Sequence, residues 1–285
     1  MQIIRDLKTL RQAIFSLRST GADRARLALV PTMGALHDGH MSLVRAAASR
    51  ADHVIASIFV NPTQFGPHED LDAYPRQEAQ DAAMLEAEGV AILWAPTVGE
   101  MYPDGFATSI SVRGISEGLC GGARPGHFDG VATVVAKLFN QVQPDVALFG
   151  EKDYQQLAVI RRMTRDLDLP VEIHGVPTAR AEDGLALSSR NAYLSADERQ
   201  RAAELPSALR DGVRQLEAGG DVRAVVGDIY SRLKKAGFDP IDYVELCDAV
   251  SLEPVLTLHA PARLLAAARL GETRLIDNMA VKSML

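Results

Sequence analysis

Short apolar runs alternating with segments of helical period constrain this chain more than any other feature. Residues 27–30 (LALV) read as a buried strand ending at Pro31, and residues 40–51 follow with Leu43, Val44 and Ala47 on one helical face. Residues 54–60 (VIASIFV) are apolar almost throughout, the pattern of a strand buried on both faces of a parallel sheet. A helix is predicted over 78–89, ending at a glycine, and a strand over 91–94. The clearest helix covers 131–142, where Val131, Val134, Val135, Leu138, Phe139 and Val142 recur at the spacing of one apolar face. A strand at 146–149, a helix at 154–166 and a strand at 171–173 complete the series. Repeated strand–helix–strand units require a parallel sheet with helices on both faces. The expected fold class is therefore α/β, a doubly wound, Rossmann-like domain over residues 1–176.

Past that point the pattern changes. Residues 195–218 read as helical, with Ser195 as N-cap and Pro206 placed to kink or divide the span. Residues 222–236 form a further helix closed by Gly237, and strands are expected at 241–247, 264–270 and 273–277. Gly271-Glu272 supplies a tight turn between the last two. Residues 177–285 are thus expected to form a smaller α+β domain.

Charge and cysteine usage narrow the function classes. The formal net charge is -7 and no long run of Lys and Arg occurs, which opposes binding of nucleic acid through its phosphates. Arg161-Arg162 and Lys234-Lys235 read as solvated helix faces. Cys120 and Cys247 lie far apart without a C-x-x-C partner, so neither a disulfide framework nor a zinc site is expected. The N-terminal segment is amphipathic without a long apolar core, and no stretch approaches the roughly 18 apolar residues of a membrane helix. A cytoplasmic protein is expected.

Three loops carry residue types suited to chemistry on an anion. Pro31–His40 (PTMGALHDGH) lies between the first of these strands and its helix. Glycines there allow close approach of backbone to ligand, and the helix N-terminus favours phosphate. His37 and His40 add donors, or cations as charge develops. Gly150–Gln156 (GEKDYQQ) follows a strand, and its Lys152 can neutralise phosphate; by itself the segment fits an ordinary solvated turn equally well. Asp183–Asn191 (DGLALSSRN) places two hydroxyls beside Arg190 at the proposed domain junction, a compact anion site or a capping loop. Neither a Walker A loop nor a G-x-G-x-x-G turn is present.

The H-x-G-H pattern resembles the HIGH signature of the nucleotidyltransferase superfamily, which includes class I aminoacyl-tRNA synthetases and cytidylyltransferases. The segment at 183–191 resembles that superfamily's mobile KMSKS loop. Five blocks together, PTMGALHDGH, VNPTQFG, RPGHFDGV, FGEKDYQQL and PTARAEDGLALSSRN, resemble the pantothenate synthetase family in their usual order. Ile276-Asp277-Asn278 has the same family look. The resemblance implies condensation of pantoate with β-alanine, driven by ATP and Mg2+, through a pantoyl adenylate, releasing AMP and pyrophosphate. It also implies a homodimer. The second domain is expected to close over ATP as a lid, because Ser188–Arg190 lie at the hinge.

Carried over residue by residue, the resemblance places ATP along Met33, Gly34, Ala35, Leu36, His37, Asp38, Gly39 and His40. It continues along Gly150, Glu151, Lys152 and Asp153, then Ala179, Leu187, Ser188, Ser189 and Arg190. His40, His37, Lys152 and Arg190 stabilise charge during adenylation, and Gln64 and Gln156 hold pantoate. Leu187 stands where many relatives carry methionine. Magnesium is expected mainly on the phosphates and water, with Asp81 either a ligand or a helix-surface aspartate. Arg124, His127, Asn61 and Tyr74 are further pocket candidates. A nucleotidyltransferase acting on a phosphate ester would want more cations than the Gln64–Gln156 pair offers, and the acidic balance opposes a tRNA ligase.

Overall fold

The apolar runs form a six-stranded, wholly parallel sheet in a computed structural model that describes residues 1–19, 24–67 and 69–283. The strands are β1 (Gln2–Ile4), β2 (Leu27–Thr32), β3 (His53–Ile58), β4 (Ile92–Trp94), β5 (Val146–Gly150) and β6 (Glu172–Val176), in the order β1-β4-β3-β2-β5-β6. The helices between them are α1 (Leu7–Arg18), α2 (Asp38–Ala48), α3 (Glu78–Ala87), the short α4 (Val98–Met101) and α5 (Leu119–Ala123), α6 (His127–Val142) and α7 (Tyr154–Asp166). The doubly wound α/β expectation is borne out. Ala28, Val30, Val44, Ala56, Leu93 and Leu148 build the core between α2 and one face of the sheet.

Two details differ from the periodicity. The edge strand β1 pairs with β4 through Gln2↔Ile92 and Ile4↔Trp94, and its three residues are too few to show a period. Helix α6 starts at His127 rather than 131, because Gly126 at φ 80° turns the chain into it.

The chain separates into two compact units: 1–116, 124–151 and 156–177 in the first; 117–123, 152–155 and 178–285 in the second. The second unit contains an antiparallel sheet, β7 (Phe238–Asp248), β8 (Ala262–Leu270) and β9 (Thr273–Val281), in that order. Gly271, at φ 57°, turns β8 into β9. Helices α8 (Ala196–Ala202), α9 (Glu204–Glu217) and α10 (Val222–Lys235) complete it. Leu205, Leu209, Leu216, Ile229 and Leu233 bury against Phe238, Leu264, Ala266 and Leu270. Pro206 has no N–H to give the Ala202 carbonyl and its ring would clash there, so the helical span divides at Ala203, as the position of the proline predicts.

Two excursions from the segment before residue 178 join this unit, unmarked by any change in composition. Helix α5 is tied in by Gln155, whose Oε1 accepts from Cys120 N (2.9 Å) and whose Nε2 donates to Gly118 O (2.9 Å). Tyr154 Oη donates to Ala249 O at 2.9 Å, with the Arg263 guanidinium 3.8 Å above the Tyr154 ring.

Candidate active site

From β2 the chain adds β3 and β4 outward on one side, then returns to set β5 on the other. In doubly wound sheets ligands bind beyond the strand carboxyl ends at this switch point. The loops after β2 and β5 carry the first two sequence motifs.

The loop after β2 is held in an uncommon shape. Gly34 and Ala35 have φ of +85° and +51°, and an alanine in the left-handed region costs about 1–2 kcal/mol. Asp81 of α3 offsets this: its carboxylate oxygens accept from Ala35 N and Leu36 N, both at 2.8 Å, and from Gln77 Nε2 at 3.2 Å. At 1% exposure Asp81 is no helix-surface residue, which corrects that expectation. Helix α3 is only weakly amphipathic, so its sequence did not show which side faces inward. Both carboxylate oxygens of Asp81 are used in holding the loop. Among the described residues no cluster of His, Cys, Asp and Glu is arranged to hold a metal ion.

The two histidines cap the helix they begin. His37 is the N-cap of α2, and its Nδ1 accepts from Gly39 N at 3.1 Å. His40, three residues on, reaches back so that its Nδ1 accepts from His37 N at 3.3 Å. This is a capping box built from imidazoles, with ring centroids 4.1 Å apart. Because each Nδ1 accepts from the backbone, each ring is neutral with its proton on Nε2. A cationic ring would aim a second proton at the same N–H. The structure therefore favours neutral donors over the cationic alternative.

Around Gln64 a buried network forms in the same unit. Asn61, 1% exposed, donates through Nδ2 to Gln64 Oε1 (3.1 Å) and Gly130 O (3.2 Å). Its Oδ1 accepts from Thr63 Oγ1 (2.9 Å) and Tyr102 Oη (2.8 Å). Gln64 Nε2 lies 3.1 Å from Met33 Sδ, so a glutamine and a loop methionine that the sequence placed in different pockets are neighbours. Glu69 grips Arg124 through Nε at 2.6 Å and through Nη2. Arg124 Nη1 donates to His127 Nε2 (3.0 Å), which leaves the proton on Nδ1 to donate to Gln64 O (2.8 Å). Arg124 and His127 thus fix the Gln64 backbone. Glu69 and Tyr102 were missed by sequence reading, since nothing in their neighbourhoods marks them. Tyr74 is buried with its ring edge-on to Phe65.

Two outcomes follow from this network. A Cβ on Gly130 would lie 2.4 Å from Thr63 O and 2.7 Å from Gln64 N, so the backbone must part. Gly130→Ala is expected to destabilise by about 1–3 kcal/mol, as overpacking does, and to lower turnover by shifting the Gln64 backbone. Denaturant unfolding and initial rates would check it. The second concerns pH. Burial pushes the Glu69 carboxyl up, but the Arg124 hydrogen bonds and charge outweigh it and hold the group below its usual 4.5. A depressed carboxyl stabilises the fold above its unfolded pKa and loses that contribution as pH falls through the folded value. Glu69→Gln is therefore expected to be less stable than the parent at pH 7, with the gap closing below about pH 4.5. Urea unfolding across that range measures it.

Beyond β5, a Cβ on Gly150 would meet no atom within 4 Å, so neither packing nor φ requires a glycine there. Gln156 is partly exposed on the first turn of α7. In the second unit Lys152 sits on a 3-10 turn, its Nζ 3.6 Å from Asp153 Oδ2. Ala179 and Leu187 are brought together: Leu187 N donates to Ala179 O at 2.9 Å, closing a hairpin that turns at Gly184. Ser188 caps the next 3-10 turn (Ser189–Tyr193), accepting from Arg190 N at 3.3 Å. The chain enters this unit at residue 178, ten residues before Ser188.

This is a doubly wound α/β enzyme with two of its sequence motifs on the loops after β2 and β5. A family model, pantoate-beta-alanine ligase, matches residues 2–280. The chain is 64% identical over 282 residues to the pantothenate synthetase of Rhizorhabdus wittichii, covering 99% of each, and 63% identical over 286 residues to that of Novosphingobium aromaticivorans, again covering 99% of each. It superposes on the crystal structure of pantothenate synthetase from Thermus thermophilus with a TM-score of 0.93 at 47% identity, covering 99% of this chain and 100% of the other. A pantoate-beta-alanine ligase from Francisella tularensis, complexed with beta-gamma ATP and beta-alanine, gives a TM-score of 0.82 at 35% identity, covering 98% and 97%. The chain belongs to the pantoate–β-alanine ligase family. Its reaction is the joining of pantoate to β-alanine as pantothenate.

No helix among the described residues is long and apolar enough to cross a membrane.

Proposed function

We propose that the ligase drives this condensation with ATP through a pantoyl adenylate. A carboxylate is a poor acylating agent at neutral pH, and activation must come first. A pantoate carboxylate oxygen attacks the α-phosphorus, the bond to the β-phosphate breaks, and pyrophosphate leaves. The β-alanine amine then attacks the acyl carbon, AMP leaves with the bridging oxygen, and the amine's surplus proton passes to solvent. The observation that carries this reading is the imidazole capping box, which fixes His37 and His40 at a helix N-terminus directly after β2. The Francisella relative complexed with beta-gamma ATP and beta-alanine supports the choice of ligands.

In this reading ATP lies along Met33–His40, Gly150–Asp153, Ala179 and Leu187–Arg190, where Gly150 leaves room for close approach. Lys152 and Arg190 neutralise the phosphates, Ser188 and Ser189 donate to the departing pyrophosphate, and no protein nucleophile takes part. Gln64 and Gln156 bind pantoate. Residues 1–176 supply the pantoate and most ATP contacts, and residues 177–285 supply the hairpin and serine–arginine turn. Magnesium arrives as part of the ATP complex, held by phosphate oxygens and water as that ion prefers. The enzyme works in the cytoplasm as a homodimer, a state that sedimentation would test directly.

The deciding experiment is exchange of labelled pyrophosphate into ATP with magnesium present and β-alanine absent. Exchange that depends on pantoate is expected. Its absence, with AMP formed only when all three substrates are present, would replace the adenylate by a concerted route.

A further inference from the structure

Ile276-Asp277-Asn278 lies on β9, remote in sequence from every other block, and nothing in the reaction so far uses it. Asp277 and Asn278 are 2% and 5% exposed. A buried carboxylate needs a partner with good geometry, and Asp277 has one in Arg180. The contact is bidentate, with Nη1 to Oδ2 at 2.6 Å and Nη2 to Oδ1 at 2.9 Å. The same guanidinium donates onward to Gly184 O (3.0 Å) and Asn278 O (3.3 Å). Arg180 also pairs with Ala186 across the hairpin that leads into Ser188. Asp277 therefore fixes the base of the segment that carries Ser188, Ser189 and Arg190.

Asn278 faces a different segment. Its Nδ2 donates to Lys152 O at 2.8 Å, and its own N–H is held by Asp277 Oδ1 at 2.7 Å. Two adjacent residues of one strand thus grip two stretches that lie 126 and 97 residues away in sequence, both within the same compact unit. Strand β9 is paired to β8 from Thr273 to Val281, so its register cannot slide. A lysine is a flexible point charge, and its reach is set only if its main chain is anchored.

We propose that Asp277 and Asn278 are positioning residues that use β9 as a fixed reference to set Lys152 against the Ser188–Arg190 turn. The proposal rests on the reading of Lys152 and Arg190 as phosphate-facing cations. Asn278 touches no substrate in this account and acts through Lys152.

The test is a double-mutant cycle on pantoate-dependent pyrophosphate exchange and on the Kd for ATP, measured by calorimetry. Asn278→Asp keeps the shape but turns an oxygen toward the Lys152 carbonyl. It is expected to slow exchange by roughly 10–100-fold, the scale of a small misplacement, with KM for pantoate unchanged. In a Lys152→Ala background the same change is expected to add no more than about twofold. Equal losses in both backgrounds, or a parent enzyme indifferent to the change, would overturn the proposal. Should aspartate unfold the unit, Asn278→Ala removes the donor without adding charge and is read in the same cycle, with circular dichroism confirming the fold. A Lys152→Ala enzyme as active as the parent would instead sink the underlying reading of Lys152, and the proposal with it.

Discussion

Alanine in place of His40 is expected to lower pantoate-dependent pyrophosphate exchange by roughly 10²–10³-fold, the usual cost of losing one preorganised donor to developing charge. The protein is expected to stay folded. His40 also caps α2, so two effects must be separated by size. Loss of a cap costs about 0.5–2 kcal/mol, and α2 remains anchored by the buried Met41, Leu43, Val44 and Ala47. Stability lost on that scale leaves most molecules native, so it cannot account for a hundredfold fall in rate. His40→Gln sharpens the comparison. Glutamine at the third helical position can reach back as an acceptor for the His37 N–H, so the melting temperature should recover. Its amide donor lies elsewhere than Nε2–H of an imidazole, so exchange should recover only in part. Rates that track melting temperature across the three proteins would reduce His40 to a cap.

The second large effect is expected at Asp81. Asp81→Ala removes the carboxylate that now accepts from Ala35 N and Leu36 N in a buried loop. Each donor that loses this acceptor costs about 1–3 kcal/mol, which sums to about 2–6 kcal/mol against a typical total of 5–15 kcal/mol. The left-handed Ala35 would lose its restraint as well. Asp81→Asn keeps one acceptor oxygen but turns an amide N–H2 toward the other backbone N–H, so roughly half the loss is expected. Urea unfolding gives the stabilities, and exchange should fall with them, because the loop leads directly into His37. An alanine variant within about 1 kcal/mol of the parent would show that the loop holds its shape by other means.

Much of this molecule is legible in the order of its amino acids. The runs at 27–30, 54–60 and 146–149 are apolar on both faces, and only a parallel sheet covered on both sides satisfies such strands. The periodicity of α6 and the turn at Gly271 are equally direct. The motifs locate His37, His40 and Lys152 at strand-to-helix turns, because glycine-rich turns and their residue types are local signals.

Tertiary structure decided what those residues do with their atoms. Sequence could name His37 and His40, but only the capping geometry assigns a proton to Nε2 in each. The same holds for Asp81, whose partners lie 45 and 46 positions away, and for Glu69, which meets Arg124 across 55 residues. Asp277 and Asn278 are the extreme case, a strand near the C-terminus fixing turns from the middle of the chain. Periodicity reports which side of an element is apolar. It carries no information about which distant donor meets a buried acceptor, because that pairing exists only once the backbone has closed.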